Sequence, residues 1–221
     1  MRQRARKDED KQERRQAMVD VAWRMFQESP YSTITMADIA EKSGLAKGTV
    51  YLYFETREEL FLAVQLQQLE ECFAAVDDRL DHGGPAWTID QIVALTSDSL
   101  RVRPALARLL ALLPGVLEHN IDFDTALNFK RILLGHMVET GARLEKALPF
   151  LSPGHGSHLI LRLHALVTGF QQMADPVPVL KRVLQEPDVR VMAIDFPTEF
   201  SETFRLLLIG MESDQKRTQY E

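Results

Sequence analysis

The sequence predicts an all-α protein: a small N-terminal head of three helices, joined by a long fourth helix to a larger helical body. Three observations carry that prediction. Apolar side chains recur three and four residues apart along most of the chain, the spacing that gives a helix one buried face. Glycine and proline are sparse, 11 and 10 of 221 residues, and they separate the periodic stretches rather than interrupt them. Thr residues with an acidic or amide side chain three positions on follow several of those breaks, where such pairs cap helix starts. Only residues 189–196 have strand character. A lone strand has nothing to pair with, so they read as an extended connection or a helix start.

In chain order, residues 1–13 read as a flexible basic arm, with seven Lys/Arg against four Asp/Glu in the first 15 positions. A first helix carries Met18, Val21, Ala22, Met25 and Phe26 on one face, and Pro30 stops it near Ser29 by disfavouring helical backbone before it. Thr35 with Asp38 opens a two-turn second helix that Gly44 ends, and a third covers about residues 46–54. Thr56 with Glu59 opens the long fourth helix, which His82-Gly83-Gly84-Pro85 closes. In the body, Thr88 and Gln91 cap a helix to about Val102. Pro104, at a first-turn position, starts another that Pro114-Gly115 ends. Further helices are expected at about 122–148, 157–173, 178–185 and 197–211. The division is thus a head at 14–60, a body at 61–215 and a tail at 216–221.

The stretch Thr35 to Phe54 holds the most specific pattern. Two short helices crossing steeply through a tight turn need a small residue at the crossing, and Ala40 supplies it. They need a turn residue tolerant of positive φ, and Gly44 stands four positions later. Ile39, Leu45, Val50 and Phe54 are placed to plug both helices onto the helix below. These are the parts of a helix-turn-helix. Met36-Ala37-Asp38-Ile39-Ala40, the run Gly44-Leu45-Ala46-Lys47-Gly48-Thr49-Val50-Tyr51-Leu52-Tyr53-Phe54, and Arg57-Glu58-Glu59-Leu60 resemble the TetR family of transcriptional regulators. The resemblance covers about residues 14–62. Beyond them, only helical pattern and length agree.

The resemblance implies a dimer that binds a palindromic operator in double-stranded DNA, represses transcription, and is released by a small, mostly apolar effector. Gly48, lacking a side chain, lets backbone approach a phosphate closely. Thr49, Tyr51 and Tyr53 offer hydroxyls where the family contacts sugar-phosphate and base edges. Lys47 brings charge to the start of the third helix, Leu52 an apolar tip for a thymine methyl. Thr35 joins the DNA-binding set, as does Arg57, which stands where the family often has a phosphate-binding lysine. Two departures are visible: Ala46 replaces the usual Ser/Thr cap, and Ser29-Pro30 stands where glycine is common.

In the body, His136 lies within the apolar stripe Phe129, Ile132, Leu133, Met137, Thr140 and Leu144. It reads either as a buried histidine satisfied by a carbonyl or as the polar contact of an apolar pocket. The candidate ligand set is Phe129, Leu133, His136, Met137, Phe170 and Met173. For the dimer interface, the two terminal long helices offer Leu159, Leu163, Leu166 and Phe170, then Phe200, Phe204, Leu207, Leu208 and Met211. Those stripes also suit the domain's own core.

Composition sets the remaining bounds. The first 60 residues hold eleven basic and eleven acidic side chains, so the whole net charge of −6 falls on the rest. A basic arm and neutral head on an acidic body suit a protein presenting one end to phosphate. Cys72, the one cysteine, excludes an internal disulfide and a four-cysteine metal site. With no signal-like start and no apolar run long enough for a membrane span, a cytoplasmic protein without membrane contact is expected. His155, His158 and His164 are set aside as metal ligands, and no nucleophile, phosphate-loop or paired-carboxylate motif points to an enzyme or cofactor. Two other readings stay open: a regulator without a small-molecule ligand, and a small helical metal-dependent enzyme.

Overall fold

The computed structural model describes residues 2–84, 87–112 and 114–218, with side chains from Asp10 to Arg217; its regular structure there is helical throughout. The α-helices are α1 (Arg2–Glu28), α2 (Met36–Lys42), α3 (Lys47–Val50), α4 (Arg57–His82), α5 (Ile89–Arg101), α6 (Pro104–Leu112), α7 (Phe123–Ala147), α8 (His155–Ala174), α9 (Pro178–Val183) and α10 (Phe196–Thr218). Single 3₁₀ turns occupy Tyr31–Thr33, Leu117–His119 and Arg190–Met192, the last within the stretch of strand character. Pro85, the expected stop for α4, and residues 219–221 of the expected tail lie outside the described residues.

Three helices differ from their expected bounds. Residues 2–13, expected as a flexible arm, are the start of α1. They contain no Gly, Pro or β-branched residue and are rich in Arg, Lys, Gln and Glu, all strong helix formers. Helix α3 is shorter than expected. Past Val50 the chain closes two i→i+3 bonds, Leu52 N–H to Thr49 O (3.1 Å) and Tyr53 N–H to Val50 O (3.0 Å), before Phe54 N–H returns to Val50 O (3.1 Å). No side chain caps α3 at Ala46, and the β-branched and aromatic residues that follow are weak helix formers. Helix α10 runs seven residues past the expected end, with Lys216 paired to Glu212 at 3.3 Å one turn back.

The chain forms two compact units, residues 1–68 with 112–129, and residues 69–111 with 130–221. Segment 112–129 belongs to the first unit, although the sequence reading placed it in the body. There the Thr56 hydroxyl donates to Asn120 O at 3.0 Å, and the Asn120 amide donates to Glu58 Oε2 at 3.1 Å.

In the first unit, Met18, Ala22, Ile39, Val50, Leu60, Phe61 and Val64 are fully buried. Phe61 meets Phe26 and Tyr31 edge-on, ring centroids 5.8 and 4.9 Å apart. In the second unit, α10 packs on α5 and α8. The core collects Ile92, Leu95, Leu144, Leu148, Leu159, Phe204 and Leu208. Helices α7 and α8 cross at backbone contact: a Cβ on Gly156 would lie 2.1 Å from Gly141 O. The Gly156 N–H donates to Glu145 Oε1 at 2.8 Å, and the Ser157 hydroxyl donates to Met137 O at 3.2 Å.

Candidate functional site

The helix-turn-helix is built by short-range chemistry. Thr35 Oγ1 accepts from Asp38 N–H at 3.2 Å while Thr35 N–H donates to Asp38 Oδ2 at 3.0 Å, a complete capping box. The Thr35 hydroxyl and then the Thr35 N–H, both donating to Oδ2, hold the Asp38 carboxyl below the usual carboxylate range. Gly44 turns the chain at φ 67°, a backbone angle that L side chains rarely adopt. Val50 and Phe54 are buried and Leu45 is half-buried, so these three expected plugs face inward. The fourth, Ile39, is fully buried.

Anchoring Val50 and Phe54 fixes what α3 and its following turn present outward. Lys47, Gly48, Tyr51 and Leu52 are exposed, Leu52 at 79%, and Thr49 and Tyr53 are half-buried. An apolar side chain that open to solvent has no packing role in its own chain. None of Lys47, Thr49, Tyr51 and Tyr53 uses its side chain in a hydrogen bond or ion pair with another described residue. No atom within 4 Å would obstruct a Cβ at Gly48, so its backbone lies open to a ligand. Thr35 is exposed too, but its hydroxyl donates to Asp38 Oδ2 at 2.7 Å.

Arg57 departs from the expectation of a phosphate contact. Its Nη1 donates to Ile34 O at 2.8 Å, its guanidinium lies 4.1 Å over the Tyr31 ring, and Nη2 reaches Glu58 Oε1 at 3.4 Å. Tyr31 completes the cluster by donating to Glu58 Oε1 at 2.6 Å. Burial and that bond push the Tyr31 hydroxyl well above the usual phenol range. Burial pushes the Glu58 carboxyl up, but bonds from Tyr31, backbone and Asn120 and the charge of Arg57 outweigh it, leaving it below the usual range. The cluster ties the start of α4 to the turn preceding α2, which positions the helix-turn-helix. Sequence reasoning missed Tyr31 and Asn120, whose partners lie 27 and 62 residues away.

The second unit holds an apolar, partly open cavity of about 120 Å³. Its walls come from α4 (Leu69, Cys72, Phe73, Val76), α5 (Ile92, Leu95, Thr96, Ser99, Leu100), α7 (Thr140, Leu144), α8 (Ile160, Leu163) and Phe204 of α10. None of the six expected ligand contacts lines it. Phe129 is buried in the first unit, Met173 is 53% exposed, and Leu133, Met137 and Phe170 are half-buried elsewhere on α7 and α8. His136 is partly exposed; its Nε2 lies 3.6 Å from Glu70 Oε1 and its ring stacks on Phe73 at 5.6 Å. Thr140, one turn further along α7, is the residue of that face that brings a hydroxyl to the cavity. It is 2% exposed and its Oγ1 has no hydrogen-bond partner among the described residues. The sequence placed Thr140 on the right face; nothing local distinguished it from His136.

The expected dimer set needs correction. Leu159, Phe200, Phe204 and Leu208 are 0–1% exposed inside their own chain, so they are the inner faces of α8 and α10. Leu163, Leu166, Leu207 and Met211 pack against the same core half-buried. The outward faces carry Leu161 and Met173 on α8 and Leu206 and Ile209 on α10, 43–68% exposed. The His155 and His158 rings lie 6.4 Å apart, and among the described residues no three His, Cys, Asp or Glu side chains group as metal ligands would. No described helix is long and apolar enough to cross a membrane.

Comparison with known proteins matches both parts of this architecture. Residues 18–64 match the model of bacterial regulatory proteins of the tetR family, and residues 66–215 match that of the tetracyclin repressor-like C-terminal domain. The second match alone covers more than half of the chain: it belongs to the TetR family of DNA-binding transcriptional regulators. The chain is similar to the uncharacterized HTH-type transcriptional regulator YfiR of Bacillus subtilis, at 29% identity over 93 residues, 42% of this chain and 45% of that one. It is also similar to the HTH-type transcriptional regulator AcrR of Shigella flexneri, at 36% over 53 residues, 24% and 25% of the two chains. The matches thus span less than half the length of these relatives. Among solved structures, SCO7518 of Streptomyces coelicolor A3(2) aligns at 16% identity over 82% of this chain and 99% of that one, with a TM-score of 0.48.

Proposed function

We propose that this chain is a ligand-controlled repressor. As a dimer it binds a palindromic operator through α2, α3 and the turn after it, and a small, mostly apolar molecule in the body releases it. The observation that carries the reading is the exposed row of Lys47, Gly48, Tyr51 and Leu52, set on a backbone anchored by buried Val50 and Phe54. In this reading Lys47, Gly48, Thr49 and Tyr53 meet phosphate and sugar, with Thr35 at the start of α2. Tyr51 and Leu52 reach base edges, the contacts that read sequence directly. Arg57 holds the site in place.

Dimerisation follows from reach. One helix-turn-helix reads few base pairs, and two-fold symmetry places a second on a half-site about 34–36 Å away or a multiple of it. The outward faces of α8 and α10 support such a pair. Leu161, Ala165, Gly169 and Met173 form one row and Leu206, Ile209 and Gly210 another, both open to solvent, with small residues that let helices approach closely. Control by a ligand is supported by the body cavity and by α4, one continuous helix whose residues belong to both units. Such coupling is worth about 1–3 kcal/mol, or roughly 5- to 150-fold in operator affinity.

Selecting bound fragments from a random double-stranded DNA pool with the full-length protein tests the reading. An inverted repeat, bound by two chains per fragment, is expected. Recovery of no shared sequence, or binding by one chain to an asymmetric site, would remove the dimeric operator from the account.

A further inference from the structure

The cavity walls say more about the effector than its existence. None of the described lining residues is Asp, Glu, Lys, Arg or His, so no side chain of the wall pairs with an ionised ligand. An unpaired charge in such a site loses its hydration without replacement. Cys72, the chain's one thiol, lies in the wall, and burial pushes its pKa up against the opposing charge of Arg103, so it stays neutral too. Among the wall's hydroxyls, two are engaged: Thr96 donates to Ile92 O and Ser99 to Leu95 O, each at 2.8 Å. Thr140 alone among them has no partner among the described residues, although it is 2% exposed. A buried hydroxyl without a partner is a cost that a ligand group can relieve. Size adds a third limit. At about 120 Å³ the cavity is well below the roughly 300–1,000 Å³ of drug-sized sites. It is close to the roughly 150 Å³ that admits benzene in an apolar protein core.

We infer that the body cavity takes a small, uncharged, largely apolar molecule of about benzene's size carrying one hydrogen-bonding group, and that this group pairs with Thr140. The inference rests on the ligand-controlled reading above and gives its effector a chemical class.

Three probes of similar size separate the requirements: phenol, toluene and benzoate, titrated calorimetrically into the full-length protein and into Thr140→Val, which keeps the shape and loses the hydroxyl. Phenol and toluene are expected to bind and benzoate not. Thr140→Val should shift the phenol-to-toluene affinity ratio toward toluene by about fivefold or more. Cys72 reports the location: either neutral probe should slow its reaction with a thiol–disulfide reagent. Benzoate binding as well as phenol, an unchanged ratio in Thr140→Val, or no binding by either neutral probe would each overturn the inference. Operator affinity measured beside these titrations keeps the two readings apart. Occupancy of the cavity without loss of operator affinity overturns ligand control and supports the ligand class. Intact operator binding with an empty cavity overturns the ligand class and leaves the DNA-binding reading standing.

Discussion

The unpartnered hydroxyl of Thr140 makes a prediction about stability that needs no ligand. Thr140 is 2% exposed, its Oγ1 meets no donor or acceptor among the described residues, and the cavity wall it shares includes Leu144, Ile160 and Phe204. Thr140→Val replaces the hydroxyl by a methyl of similar size, on a side chain that is β-branched in both forms. No hydrogen bond is lost and no cavity is made, so the change in hydration of one buried group decides the sign. Removing an unsatisfied buried hydroxyl is worth about 1 kcal/mol, within a range of roughly 0.5–3. For a chain of this size that raises Tm by about 2–4 °C. Thr140→Ser is the opposing control. It keeps the hydroxyl and loses a buried methyl, which costs about 1 kcal/mol. Urea unfolding of the three proteins, followed by circular dichroism, reads both signs at one position. A Thr140→Val midpoint at or below wild type would mean that the hydroxyl is already satisfied, and the argument from Thr140 to the effector's polar group would fail.

Three further predictions follow from the same geometry. Gly156→Ala should destabilise by about 2 kcal/mol, because its Cβ would meet the backbone of Gly141 and α7 and α8 would have to separate. Gly135→Ala, on the open side of α7 with nothing within 4 Å, should instead stabilise by up to about 1 kcal/mol; thermal melts of both variants check the opposite signs. Because the folded Glu58 carboxyl titrates below its ordinary range, its contribution is present above that range and lost as pH falls through the lowered value. Glu58→Gln should therefore flatten the acid limb of a stability-versus-pH curve, and an unchanged limb would remove the cluster from the head's acid sensitivity. Deleting residues 2–9, which hold Arg2, Arg4, Arg6 and Lys7, should reduce the slope of log operator affinity against log salt. Titrations at several salt concentrations decide that, and an unchanged slope would show the segment makes no phosphate contact.

What the sequence made legible was what short-range chemistry decides. The capping boxes at Thr35/Asp38 and Thr88/Gln91 form as read, both bonds of each in place. Thr56 caps α4 by accepting from Glu59 N–H, but the Glu59 carboxylate takes the Glu55 N–H rather than that of Thr56. Gly44 adopts the positive φ its place in the turn requires. Charge misled at residues 2–13, where a basic composition read as an arm hid good helix formers. The long-range choices were illegible. Periodicity shows that Phe200, Phe204 and Leu208 share a face, yet the same stripe serves a core or a partner. Only the packing of α10 on α5 and α8 assigns it to the core. His136 and Thr140 lie on one face of α7, and which of them borders a cavity depends on α4, α5, α8 and α10. Arg57 reads as a free cation until Tyr31 and Ile34 are brought beside it.

The central claim, that the row on α3 and the following turn reads DNA, is tested most directly at Leu52. At 79% exposure it can be changed without touching the core, so Leu52→Asp should fold and melt as wild type does. Placed against the phosphate-lined groove, the new carboxylate should lower affinity for the selected operator by about tenfold or more, roughly 1.4 kcal/mol. Fluorescence anisotropy on a labelled operator fragment at physiological salt measures this. A folded Leu52→Asp protein that binds the operator as tightly as wild type would contradict the account.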